Sequence, residues 1–290
     1  MRYVTFSKPG GTAVGARAGD AIIDLSIAAP QLPPTLEAIL ALGGLATEAV
    51  EHAIKKAARH ARLLPNELTY LPPILRPGKI ICVGLNYIDH VSESPYKNVP
   101  DYPVFFARFA NSLVAHQQGL VRPHVSEEFD YEGELVAVIG KRGRYVPRDR
   151  ALDLVAGYSV FNDASLRDYQ FKSTQWLVGK DFDGTGAFGP EVVTADELAA
   201  GATGLRLTTR LNGAVVQSAN TSDMIFPVNQ LVALISEVMT LEPGDLIVTG
   251  TPAGVGFARN PQLWMAPGDV CEVEIEGVGL LRNPVVAEQQ

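Results

Sequence analysis

The sequence predicts an α+β protein dominated by strands, with a small N-terminal α+β domain ahead of a larger β-rich body. Three observations carry this reading. Apolar, β-branched runs recur between Gly- and Pro-containing turns at spacings of about 8 to 12 residues, the mark of a sheet-rich body. Helical periodicity is confined to a few stretches, chiefly from Thr35 onward and over residues 227–239. A Pro/Gly-rich stretch at residues 71–78 reads as a linker, and it divides the chain into residues 1–73 and 74–290. With 290 residues and 47% hydrophobic content, the chain can bury a substantial core.

Residues 1–28 read as short strands joined at glycine turns such as Gly10-Gly11. Thr35 has the residue type of a helix N-cap, Gly43-Gly44 interrupts the helical pattern, and residues 47–63 resume it with Lys and Arg near the end. Residues 79–84 form an apolar strand that runs into a short helical turn carrying His90 and Glu93; residues 94–102, with Pro95 and Pro100, are irregular. Residues 129–140 read as one strand ending at Gly140, and residues 155–161 as another ending at Asn162-Asp163. Residues 184–189 match GxGxxG, but Pro190 and a β-like run follow instead of a helix, so a dinucleotide site is rejected. Asn212-Gly213 predicts a type I′ hairpin within residues 205–217. Pro243-Gly244-Asp245 and Pro267-Gly268-Asp269 each predict a turn feeding a strand.

Chemistry concentrates in three places. In a strand, Asp130, Glu132 and Glu134 share one face, where ionised carboxylates repel and are costly to bury unpaired. A divalent cation removes both costs, and an oxygen-only donor set suits Mg²⁺, Mn²⁺ or Ca²⁺. The same pattern also fits an exposed strand end with solvated acids. Asp163 could complete an ion site or cap the turn that follows; a helix there would place Arg167 and Gln170 on one face. His90 and Glu93, three residues apart, can hydrogen-bond as a general base and its orienting carboxylate, or can be two solvated residues on a surface turn. Residues 250–256 form a Gly-rich loop able to bring backbone N–H groups to an anion, though it lacks the Gly-Lys-Ser/Thr of a phosphate loop.

The net charge of −8, with no run of Lys or Arg beyond two, excludes a nucleic-acid footprint. Cys82 and Cys271 both lie in apolar runs and are expected as buried free thiols. The N-terminus lacks the apolar core of a signal peptide and no apolar run approaches membrane-spanning length, so a soluble cytoplasmic protein without a membrane partner is expected.

Five motifs, in order, make the chain resemble the fumarylacetoacetate hydrolase superfamily over about residues 79–284, and in particular its bacterial acylpyruvate hydrolase-like members. They are Gly84-Leu85-Asn86-Tyr87 through His90 to Glu93; Asp130-Tyr131-Glu132-Gly133-Glu134-Leu135; Asn162-Asp163 with Arg167-Asp168; Gly179-Lys180 before Phe188-Gly189-Pro190; and Thr249-Gly250-Thr251-Pro252 before Gly254-Val255-Gly256. The resemblance implies a mixed β-sandwich roll, a homodimer, and an Mg²⁺ or Mn²⁺ ion held by Glu132, Glu134 and Asp163. It implies His90 and Glu93 as the water-activating pair, Lys180 as a catalytic cation, and Arg167, Gln170 and Thr251 around a small oxo-acid substrate. The implied reaction is metal-dependent hydrolysis of a C–C bond in a 2,4-dioxo acid, an acylpyruvate such as maleylpyruvate or fumarylpyruvate, to pyruvate and a carboxylic acid, within the catabolism of aromatic compounds or sugar acids. The alternatives on the same site are an oxaloacetate-type decarboxylase and a 2-hydroxy-dienoate isomerase or hydratase. A non-catalytic sugar- or acid-binding β-protein that keeps only the ion is a third class, and one that has no use for His90, Glu93 and Lys180 together.

Overall fold

The computed structural model describes residues 1–96 and 98–289. Lys97, within the irregular 94–102 stretch, lies outside the described residues. Strand Gly133–Ile139 is buried at every position. It is hydrogen-bonded on one side to Val155–Asn162 and on the other to Leu246–Val248, both antiparallel. Its apolar run is continuous because both faces are covered: Leu135, Ala137 and Ile139 point into one core, and Val136 and Val138 into another.

From this centre a twelve-stranded mixed sheet extends both ways. One flank continues through the parallel strand Ile80–Gly84 to the edge strand Val104–Arg108. The other passes through Val155–Asn162 and Gly186–Thr194 to the N-terminal strands. There Arg2–Lys8 pairs with Gly186–Thr194 through Arg2 and Tyr3, so the first 71 residues add their strands to the same sheet. Helix residues Leu36, Ile39 and Val50 pack into the core that holds Val136 and Val138. A five-stranded sheet and helix Val228–Val238 contribute to the core on the opposite face.

The local expectations fare unevenly. The hairpin turns at Asn212 and Gly213, both with positive φ, as a type I′ turn requires. Both cysteines are free and buried. Helix Val228–Val238 starts directly after Pro227. The helix expected over residues 47–63 is Gly44–Lys56 instead. Arg62–Leu63 forms a strand paired with Ile22 and Ile23, a tertiary pairing that outweighs local helical preference. The strand expected across 129–140 is broken at residues 131–132, because Phe129–Asp130 leaves the main ladder to pair with Ser165–Leu166. Thr35 occupies the N-cap of helix Leu36–Ala41 but makes no side-chain capping bond.

Candidate active site

The strand register brings the carboxylates together. Gly133 pairs with Asn162, so Glu132 and Asp163 emerge opposite one another. The pairing is locked by Asp163 N–H donating to Glu132 O at 2.8 Å and by Glu132 N–H donating to Asn162 Oδ1 at 2.9 Å. Glu134 enters from the adjoining strand. One carboxylate oxygen from each of Glu132, Glu134 and Asp163 lies within 4.8 Å of the others, and all three residues are buried. Asp163 is therefore not a helix cap; Leu166 holds that position ahead of Arg167–Gln170.

Each carboxylate is held by a donor from outside the trio. Arg167 Nη2 donates to Glu132 Oε1 at 2.6 Å, while its Nε donates to Asp130 Oδ2 at 2.8 Å and its Nη1 to Gln170 Oε1 at 2.8 Å. Lys180 Nζ bridges Glu132 Oε2, at 2.6 Å, and Asp163 Oδ2. Gly250 N–H donates to Glu134 Oε2. Arg108 Nη1 donates to Asp163 Oδ1 at 2.6 Å.

Four buried carboxylates, counting Asp130, thus meet three buried cations, Arg108, Arg167 and Lys180. Burial opposes ionisation of Glu132, but Arg167 and Lys180 override it and hold its carboxyl far below the usual range. Among the described residues, no cation is bonded to Glu134. Burial, with the charges of Asp163 and Glu132, drives its carboxyl well above the usual range. A buried, all-oxygen donor set with one member short of positive charge fits a hard divalent ion. These three residues could hold it.

His90 and Glu93 lie on the six-residue helix Ile88–Glu93. His90 Nδ1 is 2.9 Å from Glu93 Oε1. The Gly-rich loop does cradle anions, but they are the protein's own: Gly254 N–H donates to Glu93 Oε2 at 2.9 Å, and Gly256 and Phe257 N–H donate to Asp130 at 2.7 and 3.0 Å. Gly254 has φ +105°, and a Cβ there would strike the carbonyl oxygen of Val216, so the close approach requires glycine. Asn86 fastens the helix's entry to this region, donating to Phe226 O and Thr249 O and accepting from Phe226 N–H.

One cavity is lined by His90, Glu132, Glu134, Asp163, Arg167, Gln170, Lys180 and Thr251; Glu93 stands behind His90. Thr251 Oγ1 is itself engaged, donating to Gly133 O and accepting from Gln217 Nε2. Two further features surround the trio. The cavity's outer wall is aromatic, with Tyr96, Phe106, Phe171, Trp176 and Phe257, and Trp176 stacks edge-on to Phe106 while its Nε1 donates to Tyr96 Oη at 3.2 Å. Arg108 and Asp130 brace the trio from behind, a role that spacing along the chain does not signal.

The family model described as fumarylacetoacetate (FAA) hydrolase, C-terminal, matches residues 79–286. The mitochondrial oxaloacetate tautomerase FAHD2A of Bos taurus is 40% identical over 293 residues, covering 99% of this chain and 92% of that protein. The solved fumarylacetoacetate hydrolase of psychrophilic Exiguobacterium antarcticum superposes with a TM-score of 0.85 at 35% identity, covering 99% of this chain and 100% of that one. Maleylpyruvate hydrolase of Sphingobium sp. SYK-6, solved with manganese(II) and pyruvate, superposes with a TM-score of 0.82 at 30% identity over the whole of both chains. A β-rich mixed fold, a buried carboxylate trio and these likenesses over nearly the full length lead to one conclusion: the chain belongs to the fumarylacetoacetate hydrolase family.

Proposed function

We propose that the protein is a divalent-metal-dependent enzyme that interconverts the enol and keto forms of a short 2-oxo acid of the oxaloacetate type. The observation that carries the reading is a single cavity lined by both a carboxylate trio fit for a hard ion and a histidine oriented by a carboxylate. The 40% identity to an oxaloacetate tautomerase across 99% of the chain supports it. Glu132, Glu134 and Asp163 would hold Mg²⁺ or Mn²⁺, with Ca²⁺ compatible with the same donors; such an ion supplies charge stabilisation to an enolate. Arg167, Gln170, Lys180 and Thr251 would orient the substrate carboxylate. Glu93 is an acceptor, so Nδ1 of His90 carries the hydrogen and Nε2 is left with the lone pair of a general base. Nε2 would take the proton from one end of the enol system and return it to the other.

Cleavage of an acylpyruvate is the second reading, supported by the likeness to a maleylpyruvate hydrolase solved with manganese(II) and pyruvate. There Nε2 would draw its proton from water. Both readings take the working form to be a homodimer. The cytoplasm remains the compartment proposed from the sequence, beside a relative named mitochondrial. Among the described residues no helix is long and apolar enough to cross a membrane.

The test follows enol absorbance with oxaloacetate, and pyruvate release with a panel of acylpyruvates, each with Mg²⁺ or Mn²⁺ and again with EDTA. Metal-dependent enol–keto exchange supports the first reading. Pyruvate release without that exchange replaces it with the second, and turnover indifferent to EDTA overturns both.

A further inference from the structure

Arg108 ends the edge strand Val104–Arg108, yet its guanidinium is wholly buried. An arginine is hidden this completely only where every donor finds a partner. Nη1 donates to Asp163 Oδ1 at 2.6 Å and Nη2 to Thr185 Oγ1 at 2.8 Å. Nε reaches Ser112 Oγ at 3.3 Å, and both terminal nitrogens approach Ala164 O at 3.4 Å. The two hydroxyls are turned to accept, because each donates its own hydrogen elsewhere: Thr185 to Phe182 O at 2.8 Å and Ser112 to Phe109 O at 2.8 Å. A Cβ on Gly186 would lie 3.0 Å from the guanidinium carbon, so the channel is shaped around this side chain.

The consequence falls on Asp163. Its Oδ1 is taken by Arg108, and its Oδ2 is turned toward Lys180 and Glu132. Arg108 does not line the cavity; of the carboxylate trio, the side chain it bonds is that of Asp163. We propose that Arg108 is a positioning residue that fixes the carboxylate of Asp163 so that Oδ2 is presented to a divalent ion. The inference rests on the metal-site reading above. The planar fork matters, since one arm holds the carboxylate while the other is anchored on Thr185.

Two effects of removing Arg108 oppose each other. Loss of a nearby positive charge would tighten cation binding, and loss of ligand orientation would weaken it. Partners that orient a metal ligand are worth about 10- to 100-fold in metal affinity, so weakening is expected to win. The experiment measures free Mn²⁺ by electron paramagnetic resonance against the full-length protein and its Arg108→Met, Arg108→Lys and Thr185→Val variants. Arg108→Met should bind Mn²⁺ about 10- to 100-fold more weakly. Arg108→Lys should recover part of that loss, because an ammonium can reach Asp163 without the second arm, and Thr185→Val should show a smaller weakening with the arginine still present. Affinity unchanged or tightened in folded Arg108→Met overturns the proposal. Should that variant not fold, unchanged affinity in both Arg108→Lys and Thr185→Val overturns it equally. A wild-type protein that does not bind Mn²⁺ overturns the metal-site reading and this proposal with it.

Discussion

Glu132, Glu134 and Asp163 sit at the ends of two neighbouring central strands of the large sheet, whereas His90 and Glu93 ride on a six-residue helix at its rim. The carboxylates are 4%, 2% and 0% exposed, His90 is 9% exposed, and the side chain of Glu93 is 21% exposed. A helix this short is not stable alone, and its first residues have no side-chain cap. It is held by what Glu93 and Asn86 grip and by the burial of His90 and Val91. The carboxylate trio is therefore built into the core, and the base is carried on a separate short segment anchored to it. If that contrast is right, damage to the trio should cost fold and chemistry together, while removal of the imidazole of His90 should cost chemistry alone.

Glu132→Ala is the strongest attempt to break the contrast. It strips a partner from both Arg167 and Lys180. Removing one member of a buried ion pair costs about 3–5 kcal/mol, so the melting temperature should fall, Mn²⁺ binding should be lost, and no reaction should survive. Near-wild-type melting with intact metal binding would show that the trio is not the rigid half. His90→Ala comes next. It should lower proton-transfer turnover by about 10²- to 10⁴-fold, yet leave Mn²⁺ affinity and pyruvate or oxalate binding close to wild type in calorimetry. Loss of ligand binding as well would make His90 part of the binding surface. Glu93→Gln should lie below both, a milder loss of turnover than His90→Ala, since the base remains and the amide oxygen can still accept from Gly254 N–H while the orienting charge is gone; a loss equal to that of His90→Ala would mean that the base does not work without that charge.

The smallest effect concerns pH. Glu134 in the ion-free protein keeps its proton above the ordinary carboxylate range, and that proton must leave before the oxygen can bind an ion. Mn²⁺ affinity should therefore rise with pH between the ordinary carboxylate range and the raised value of Glu134, with proton release seen as a buffer-dependent heat. The same shift favours folding of the ion-free chain at low pH: its contribution is complete below the unfolded carboxyl pKa and fades as pH rises through the folded one. A pH-independent affinity would mean that Glu134 is not displaced.

Much of this was legible along the chain. Alternation in a strand placed Glu132 and Glu134 together, helical spacing joined His90 to Glu93, and Asn212-Gly213 announced its turn, because each depends on neighbours two to four residues apart. The exceptions depend on distant partners. Residues 47–56 and 62–63 look alike by local preference, and only pairing with Ile22 and Ile23 turns the latter into a strand. Arg108 interrupts an apolar run, and nothing nearby in sequence reveals that Asp163 and Thr185 will meet it. The loop at 250–256 advertised anion binding correctly, but a sequence cannot say that the anions are Glu93 and Asp130.

That loop has one more implication. A turn whose N–H groups already hold a carboxylate is an anion receptor with a tethered guest, and the guest's effective concentration is set by the covalent path from Glu93, not by the solution. Free carboxylates would have to outcompete that local concentration to lodge there. The arrangement is also sensitive to reach: Glu93→Asp keeps the charge, shortens the tether by one methylene, and would open the receptor to soluble anions that the native protein excludes.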